Sequence, residues 1–128
     1  MDDVAMQQYS ARVAEYFHQP VRNMGNEVRG EAGSVEQGAL ICLAADVRDG
    51  KLRNVGFRAF ACPHIIAACN WQSGLLEGAP VSALQQVDLA ELQLMFDIPV
   101  EKAGKLLILK DALLACHEHY EAGSASLS

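Results

Sequence analysis

Asp49-Gly50 is the feature that most restricts how this chain can fold. Two apolar runs flank it, Ala39 to Val47 (ALICLAADV) and Leu52 to Phe60 (LRNVGFRAF). A two-residue connection of type I′ needs positive φ at both positions, and Asp-Gly is among the pairs that tolerate this best. The pattern predicts an antiparallel hairpin. Alternation places Val55, Phe57 and Ala59 on one face of its second strand. Arg53 shares that parity but lies close enough to the turn to reach solvent.

Immediately afterwards, Phe57 to Trp71 (FRAFACPHIIAACNW) passes from strand-like to helical sequence at Cys62-Pro63. Proline is favoured at the first helical position because the amide hydrogen it lacks would be unpaired there. Cys62 is then the N-cap, where helix amides and dipole favour a thiolate over a thiol. The helix is expected to reach about Leu76, ended by Gly74 or Gly78 and Pro80.

The flanking segments supply helices. Ser10 can cap a first helix to about His18, with Val13, Phe17 and Tyr9 toward the core, stopping near Pro20. Val21 to Gly38 shows no sustained period and reads as a long loop with room for an early strand. Ser82-x-x-Gln85 and Asp88-x-x-Glu91 each fit a capping box, giving two short helices or one broken one. From about Glu101 to Glu121, Leu106, Leu109, Leu113, Cys116 and Tyr120 form one stripe of a last helix. The tail GSASLS (residues 123–128) reads as disordered. The sum is a two-layer α+β fold, a small antiparallel sheet packed on helices.

At 128 residues the chain has room for one domain. Residues 1–8 read as an N-terminal extension, 9–121 as the domain and 122–128 as a flexible tail. The net charge of −6, with basic residues scattered, argues against nucleic-acid binding, which draws on clustered Lys and Arg. No apolar run is long enough for a membrane span. The opening MDDVAMQQ lacks the basic and apolar regions of a signal peptide, so the sequence leads to a cytoplasmic expectation. Cys42, Cys62, Cys69 and Cys116 show no C-x-x-C pairs, and in a reducing compartment they are free thiols or ligands.

Several of these residues have two readings. Cys62-x-His64 at a helix start offers two metal ligands, with Glu36 as a third; the plain alternative for His64 is an exposed histidine. Cys69 lies about 10 Å along the helix from Cys62, too far to share an ion, and reads as a small buried hydrophobe. Cys116 and His119 have chelating spacing, but Cys116 continues the leucine stripe. Core cysteine and solvated histidines is the expected outcome. Cys42 is likewise read as core, and Trp71 as a partly buried packing residue. No catalytic triad or phosphate-binding glycine loop is present.

The order of motifs resembles the IscU/NifU N-terminal type of iron–sulfur cluster assembly scaffold. Tyr9-Ser10-x-x-Val13 opens it, followed by Pro20-Val21-Arg22-Asn23-Met24-Gly25, close to a P-R-N-x-G pattern. Phe57-Arg58-Ala59-Phe60-Ala61-Cys62-Pro63-His64-Ile65-Ile66-Ala67 looks like F-K-T-F-G-C-G-S-A-I-A. Ile98-Pro99-Val100-Glu101-Lys102 resembles L-P-P-V-K, and Lys110-Asp111-Ala112-Leu113 resembles E-D-A-I. The resemblance implies the α+β fold of the SufE/NifU class. It also implies a nascent [2Fe–2S] cluster or a zinc ion held by three cysteines with an aspartate and a histidine. A cysteine desulfurase and assembly chaperones would be the partners.

Carried over position by position, Cys62 matches the middle cysteine. Glu36 falls at the first cysteine, Gly38 at the aspartate, Gly104 at the histidine and Lys105 at the third cysteine. Clusters are held by thiolates and occasionally imidazoles, and a lysine ammonium repels iron. Glu36 and Lys105 are expected to pair where the metal would sit, contributing at most about 1 kcal/mol and leaving Cys62 beside a cation. The leading expectation is a binding or transfer protein of cluster assembly with a degenerate ligand site, not an enzyme. Cys62 is then a remaining ligand or a persulfide acceptor, with Glu36, His64 and Lys105 around it. The alternatives are a metal-free interaction module for the desulfurase or another assembly component, and a thiol-dependent transfer or redox enzyme using Cys62.

Overall fold

A computed structural model describes residues 10–19 and 24–127. The element order is α1 (Ala11–Phe17), β1 (Val28–Ser34), β2 (Ala39–Arg48), β3 (Lys51–Phe60), α2 (Pro63–Leu76), a 3-10 turn (Val81–Gln85), α3 (Leu89–Met95) and α4 (Val100–Leu127). The three strands form one antiparallel sheet in the order β1-β2-β3. Together these elements make the α+β arrangement expected from the sequence. Tyr9, Pro20-Val21-Arg22-Asn23 and the proposed extension over residues 1–8 lie outside the described residues.

The β2–β3 turn has Asp49 at φ 55° and Gly50 at φ 75°, the two positive values that the Asp-Gly pair is suited to adopt. Farther along, the ladder slips: Ala44 pairs with Gly56 but Asp46 with Arg53. β3 therefore carries one extra residue opposite Ala45, and Asn54 takes up the kink at φ 53°. Such a bulge reverses side-chain parity along the strand. Leu52, not Arg53, consequently joins Val55 on the inner face, and Leu52 and Val55 are both buried. Simple alternation had put Arg53 there; it is exposed.

The Glu77 carboxylate closes the bulge. It accepts hydrogen bonds from the Asn54 and Val55 amides, each at 2.9 Å, the groups that an interrupted ladder leaves over. From the other side, the Asn54 side chain donates to Asp46 at 3.0 Å. The Asn26 amide donates to the same carboxylate at 3.0 Å. These bonds hold the Asp46 carboxyl below the usual carboxylate range.

The segment expected as a loop with room for a strand contains β1. Residues Val28–Ser34 pair with Ala39–Ala45, although Gly30 and Gly33 interrupt its apolar pattern. α4 crosses β1 at those glycines. A Cβ at Gly30 would strike the Ala112 carbonyl and the Cys116 amide, and one at Gly33 would meet Ile108. Glycine here removes the side chains that would separate sheet and helix. At the outer edge of β1, His119 Nδ1 accepts from the Arg29 amide at 2.9 Å.

The core lies between sheet and helices. Ile41 and Leu43 from β2 meet Ile65 and Leu76 of α2, and Leu106, Leu109, Leu113 and Cys116 of α4. Burying each leucine stabilises by about 1.5–3 kcal/mol relative to exposure. Ser10 caps α1 by accepting from the Val13 amide at 3.2 Å. Asp88 caps α3 by accepting from the Glu91 amide at 3.0 Å. The Ser82 capping box is not used: that segment is a 3-10 turn entered from Pro80 with no side-chain cap. α4 continues beyond Glu121 to Leu127, so the backbone of residues 123–127, expected as disordered, is helical.

Candidate functional site at the Cys62 end of the sheet

Cys62 is the N-cap of α2, with extended backbone (φ −71°, ψ 163°) and Pro63 opening the helix. The Ile65 and Ile66 amides donate to its carbonyl at 3.0 and 3.1 Å. The thiol makes no capping hydrogen bond and is partly exposed. A sulfur in this position is accessible to a reacting partner while its backbone is held by the helix.

Pairing brings the other candidate positions to the same end. Leu40 lies opposite Phe60, so the β1–β2 turn over residues 35–38 sits beside the strand end that leads into Cys62. Gly38 has φ +83°, and Lys105 Nζ comes to 3.1 Å from where a Cβ would stand there. Glycine thus serves twice, by adopting the left-handed backbone and by admitting the lysine. Glu36, in the same turn, is exposed. The expected Glu36–Lys105 ion pair is not formed among the described residues, where the ion pair within range is His117–Glu121. The lysine packs over the turn backbone while the glutamate faces solvent. Gly104 faces open space, with nothing within 4 Å of a Cβ.

His64 packs into the protein interior. It is buried, with 8% of its surface exposed, so the expectation of an exposed helix-start histidine is corrected. Burial pushes its pKa down; Lys102 adds to the effect and Asp97 opposes it. Its neighbours therefore come from the corner between α3 and α4, residues far from it in sequence. Among the described residues no group of three His, Cys, Asp or Glu side chains is arranged to hold a metal ion. Cys62 contributes a sulfur to this end of the sheet, but Lys105 contributes a cation where the resemblance implies a thiolate.

Cys69 and Cys116 are core thiols, each pushed up to about 12 by burial. Trp71 is partly buried and packs against the core. Cys42, read from the sequence as core, lies instead on the outer face of the sheet and is partly exposed. A nearly continuous apolar strand hides its own parity, and only cross-strand register reveals which residues face outward. Apolar groups are also exposed around the Cys62 end: Val35 and Phe60 are 56% and 55% exposed. At the α3–α4 corner, Leu94 and Val100 are more exposed still and border a shallow groove with Ile98 and Pro99.

No protein-family model matches the chain. Among known proteins it is similar to iron sulfur cluster assembly protein 1, mitochondrial, of Schizosaccharomyces pombe: 22% identical over 94% of this chain and 66% of that protein. The corresponding protein of Kluyveromyces lactis is 25% identical, with coverage of 89% and 68%. Iron sulfur cluster assembly protein 2, mitochondrial, of Saccharomyces cerevisiae is 25% identical, with coverage of 88% and 78%. The chain spans about two thirds of the length of the first two relatives.

Their mitochondrial location overturns the cytoplasmic expectation. A compartment is addressed by a targeting segment and leaves little trace in the composition of the folded domain.

Among solved structures, a protein described as an iron–sulfur cluster assembly scaffold for the SUF system, from Fervidobacterium islandicum AW-1, superposes with a TM-score of 0.65. It is 14% identical, over 85% of this chain and 96% of that one. The N-terminal part of a nitrogen-fixing NifU-like protein from Brucella abortus superposes with a TM-score of 0.53 at 14% identity, with coverage of 86% and 81%. Along most of its length the chain is therefore similar to iron–sulfur cluster assembly proteins, and it shares its fold with scaffold and NifU-like proteins of known structure.

Proposed function

We propose that the protein acts in iron–sulfur cluster assembly as a scaffold-like binding or transfer protein, with Cys62 as its working residue, rather than as an enzyme. The observation that carries this reading is the position of Cys62. In a chain similar over most of its length to cluster assembly proteins, it supplies a partly exposed sulfur at the start of α2. The donor set does not fit a closed metal site. Glu36 is exposed, His64 is buried toward Lys102 and Asp97, and Lys105 adds positive charge. A lysine ammonium offers no lone pair to iron.

The chemistry that needs only one thiol is acceptance of sulfur. A Cys62 thiolate attacks the outer sulfur of a donor cysteine persulfide, the donor thiolate leaves, and Cys62 becomes the persulfide. One S–S bond forms as another breaks, and no external oxidant is consumed. A cysteine desulfurase is the donor class, and iron or a nascent cluster is cargo. Glu36 and Lys105 shape the approach to the sulfur.

Anaerobic reconstitution with ferrous iron and sulfide, read by visible spectrum and metal analysis, tests the holding role. Colour that is lost in Cys62→Ser supports it. A colourless, metal-free protein removes it. Mass spectrometry after exposure to a persulfide donor tests the transfer role: a gain of one sulfur on Cys62 supports it, and its absence from an accessible Cys62 counts against it. A second reading, an interaction module without metal, is favoured by the exposed Val35, Phe60, Leu94 and Val100. It predicts a partner complex that survives Cys62→Ser.

A further inference from the structure

The outer face of the sheet carries a second cluster that the Cys62 end does not use. Cys42 lies opposite Glu31 on one side and Arg58 on the other, and Arg29 pairs with Ala44, the next outward position along β2. Direct cross-strand neighbours have Cβ atoms about 5 Å apart and diagonal ones about 7–8 Å, within reach of long side chains. Both guanidinium-bearing residues can therefore converge over the small floor made by Cys42 and Ala44. Met24 forms a wall, its side chain lying where a Cβ on Gly56 would stand. The result is a cavity of about 230 Å³ lined by Met24, Arg29, Cys42, Leu43, Ala44 and Arg58.

Three features give this cavity a chemical direction. Among the described residues, neither arginine has a carboxylate within ion-pair distance, so their charges are not consumed by the fold. The thiol between them is pushed up, first by burial and then by Glu31, with Arg29 and Arg58 pulling the other way. At neutral pH it is a neutral S–H and does not repel an anion. Glu31 supplies one opposing charge, leaving a net positive cavity on a chain of net charge −6.

We infer that this cavity is a binding site for a small oxyanion, a phosphoryl or carboxylate group clasped between Arg29 and Arg58 over Cys42. The planar guanidinium fork matches both anion types, often through two parallel N–H···O bonds. A volume of about 230 Å³ lies below the range of drug-sized pockets, about 300–1,000 Å³, which suits a phosphate or a short dicarboxylate. Cys42 makes occupancy readable, because an anion over its sulfur shields it from alkylation.

The test titrates the folded protein with inorganic phosphate and, separately, malonate, at constant ionic strength set with chloride. Amide chemical shifts and the rate of Cys42 carbamidomethylation are followed. Saturable shifts centred on Arg29, Cys42 and Arg58 are expected, with slower alkylation at Cys42 and an unchanged rate at Cys62. Arg29→Ala and Arg58→Ala should each weaken binding about two- to fivefold, the range of exposed charge pairs. Glu31→Gln, which retains the side chain's size, should strengthen it by a similar factor. Preference for phosphate or malonate names the anion class. Absence of saturable shifts with both anions would overturn the inference, as would equal binding by the wild type and all three variants.

Discussion

Replacing Gly30 by alanine isolates the contact that joins the two layers. Gly30 lies on the inner face of β1 directly beneath α4. A Cβ there meets the Ala112 carbonyl oxygen and the Cys116 amide nitrogen, with Cys116 Cα at 2.9 Å. These are backbone atoms of a helix and cannot swing aside as a side chain would. Normal carbon contacts lie at about 3.5–4.0 Å, so α4 must lift by roughly 1 Å, and gaps of that size forfeit a quarter to a half of each dispersion contact. Overpacking of this kind costs about 1–3 kcal/mol. The opposing effect is the usual gain of about 0.4–1 kcal/mol from restricting the unfolded chain.

The two effects have opposite signs, so the sign of the measured change decides between them. A net loss of about 1–1.5 kcal/mol is expected in urea denaturation from the difference of these two effects, or roughly 4–7 °C in Tm for a domain of this size. Two other glycines serve as controls. Gly104→Ala, on the helix with open space around it, should stabilise by about 0.5–1 kcal/mol. Gly56→Ala meets the flexible Met24 side chain, so Met24→Ala in the same protein should relieve much of its cost. A neutral or stabilising Gly30→Ala would refute the close sheet–helix contact.

Three further outcomes follow from named interactions. Glu77→Ala leaves the Asn54 and Val55 amides without their acceptor and should cost about 1–2 kcal/mol; hydrogen exchange at those two amides should accelerate ahead of the rest of β3. Burial holds the His64 pKa below its ordinary value of 6.5, so the unfolded chain binds a proton more readily. Stability is therefore full above that value and declines as pH falls through it towards the lower folded pKa; a series of urea melts should show this, and His64→Gln should flatten the decline. Alkylation of the native protein should modify Cys62 first and Cys42 more slowly, because burial and Glu31 disfavour the Cys42 thiolate, whereas Cys69 and Cys116, with thiols at about 12, should react only on unfolding. Mass spectrometry of timed aliquots distinguishes these sites.

The legible parts of this fold are those where local chemistry has one good solution. Asp49-Gly50 admits a type I′ turn, Pro63 opens a helix, Asp88 caps one, and the leucine stripe of α4 has only one face to bury. Each outcome depends on residues within a turn or two of one another, so it can be read in order along the chain. β1 was less legible because its glycines break the apolar alternation for the benefit of a helix more than 70 residues away, at Ala112 and Cys116.

Tertiary structure decided what depends on register and on distant partners. The Asn54 bulge exchanged Arg53 for Leu52 on the inner face, a one-residue slip that alternation alone does not reveal. The tertiary structure also placed Cys42 outward beside Arg29 and Arg58, when an unbroken apolar strand reads as core. It buried His64 toward Lys102 and Asp97, and set Lys105 over Gly38 instead of against Glu36. The sequence by itself determined Cys62 as the residue at the N-terminal cap position of α2, because Pro63 beside it opens the helix. The company that sulfur keeps is set by strand pairing and by the crossing of α4, and these exist only once the chain has folded.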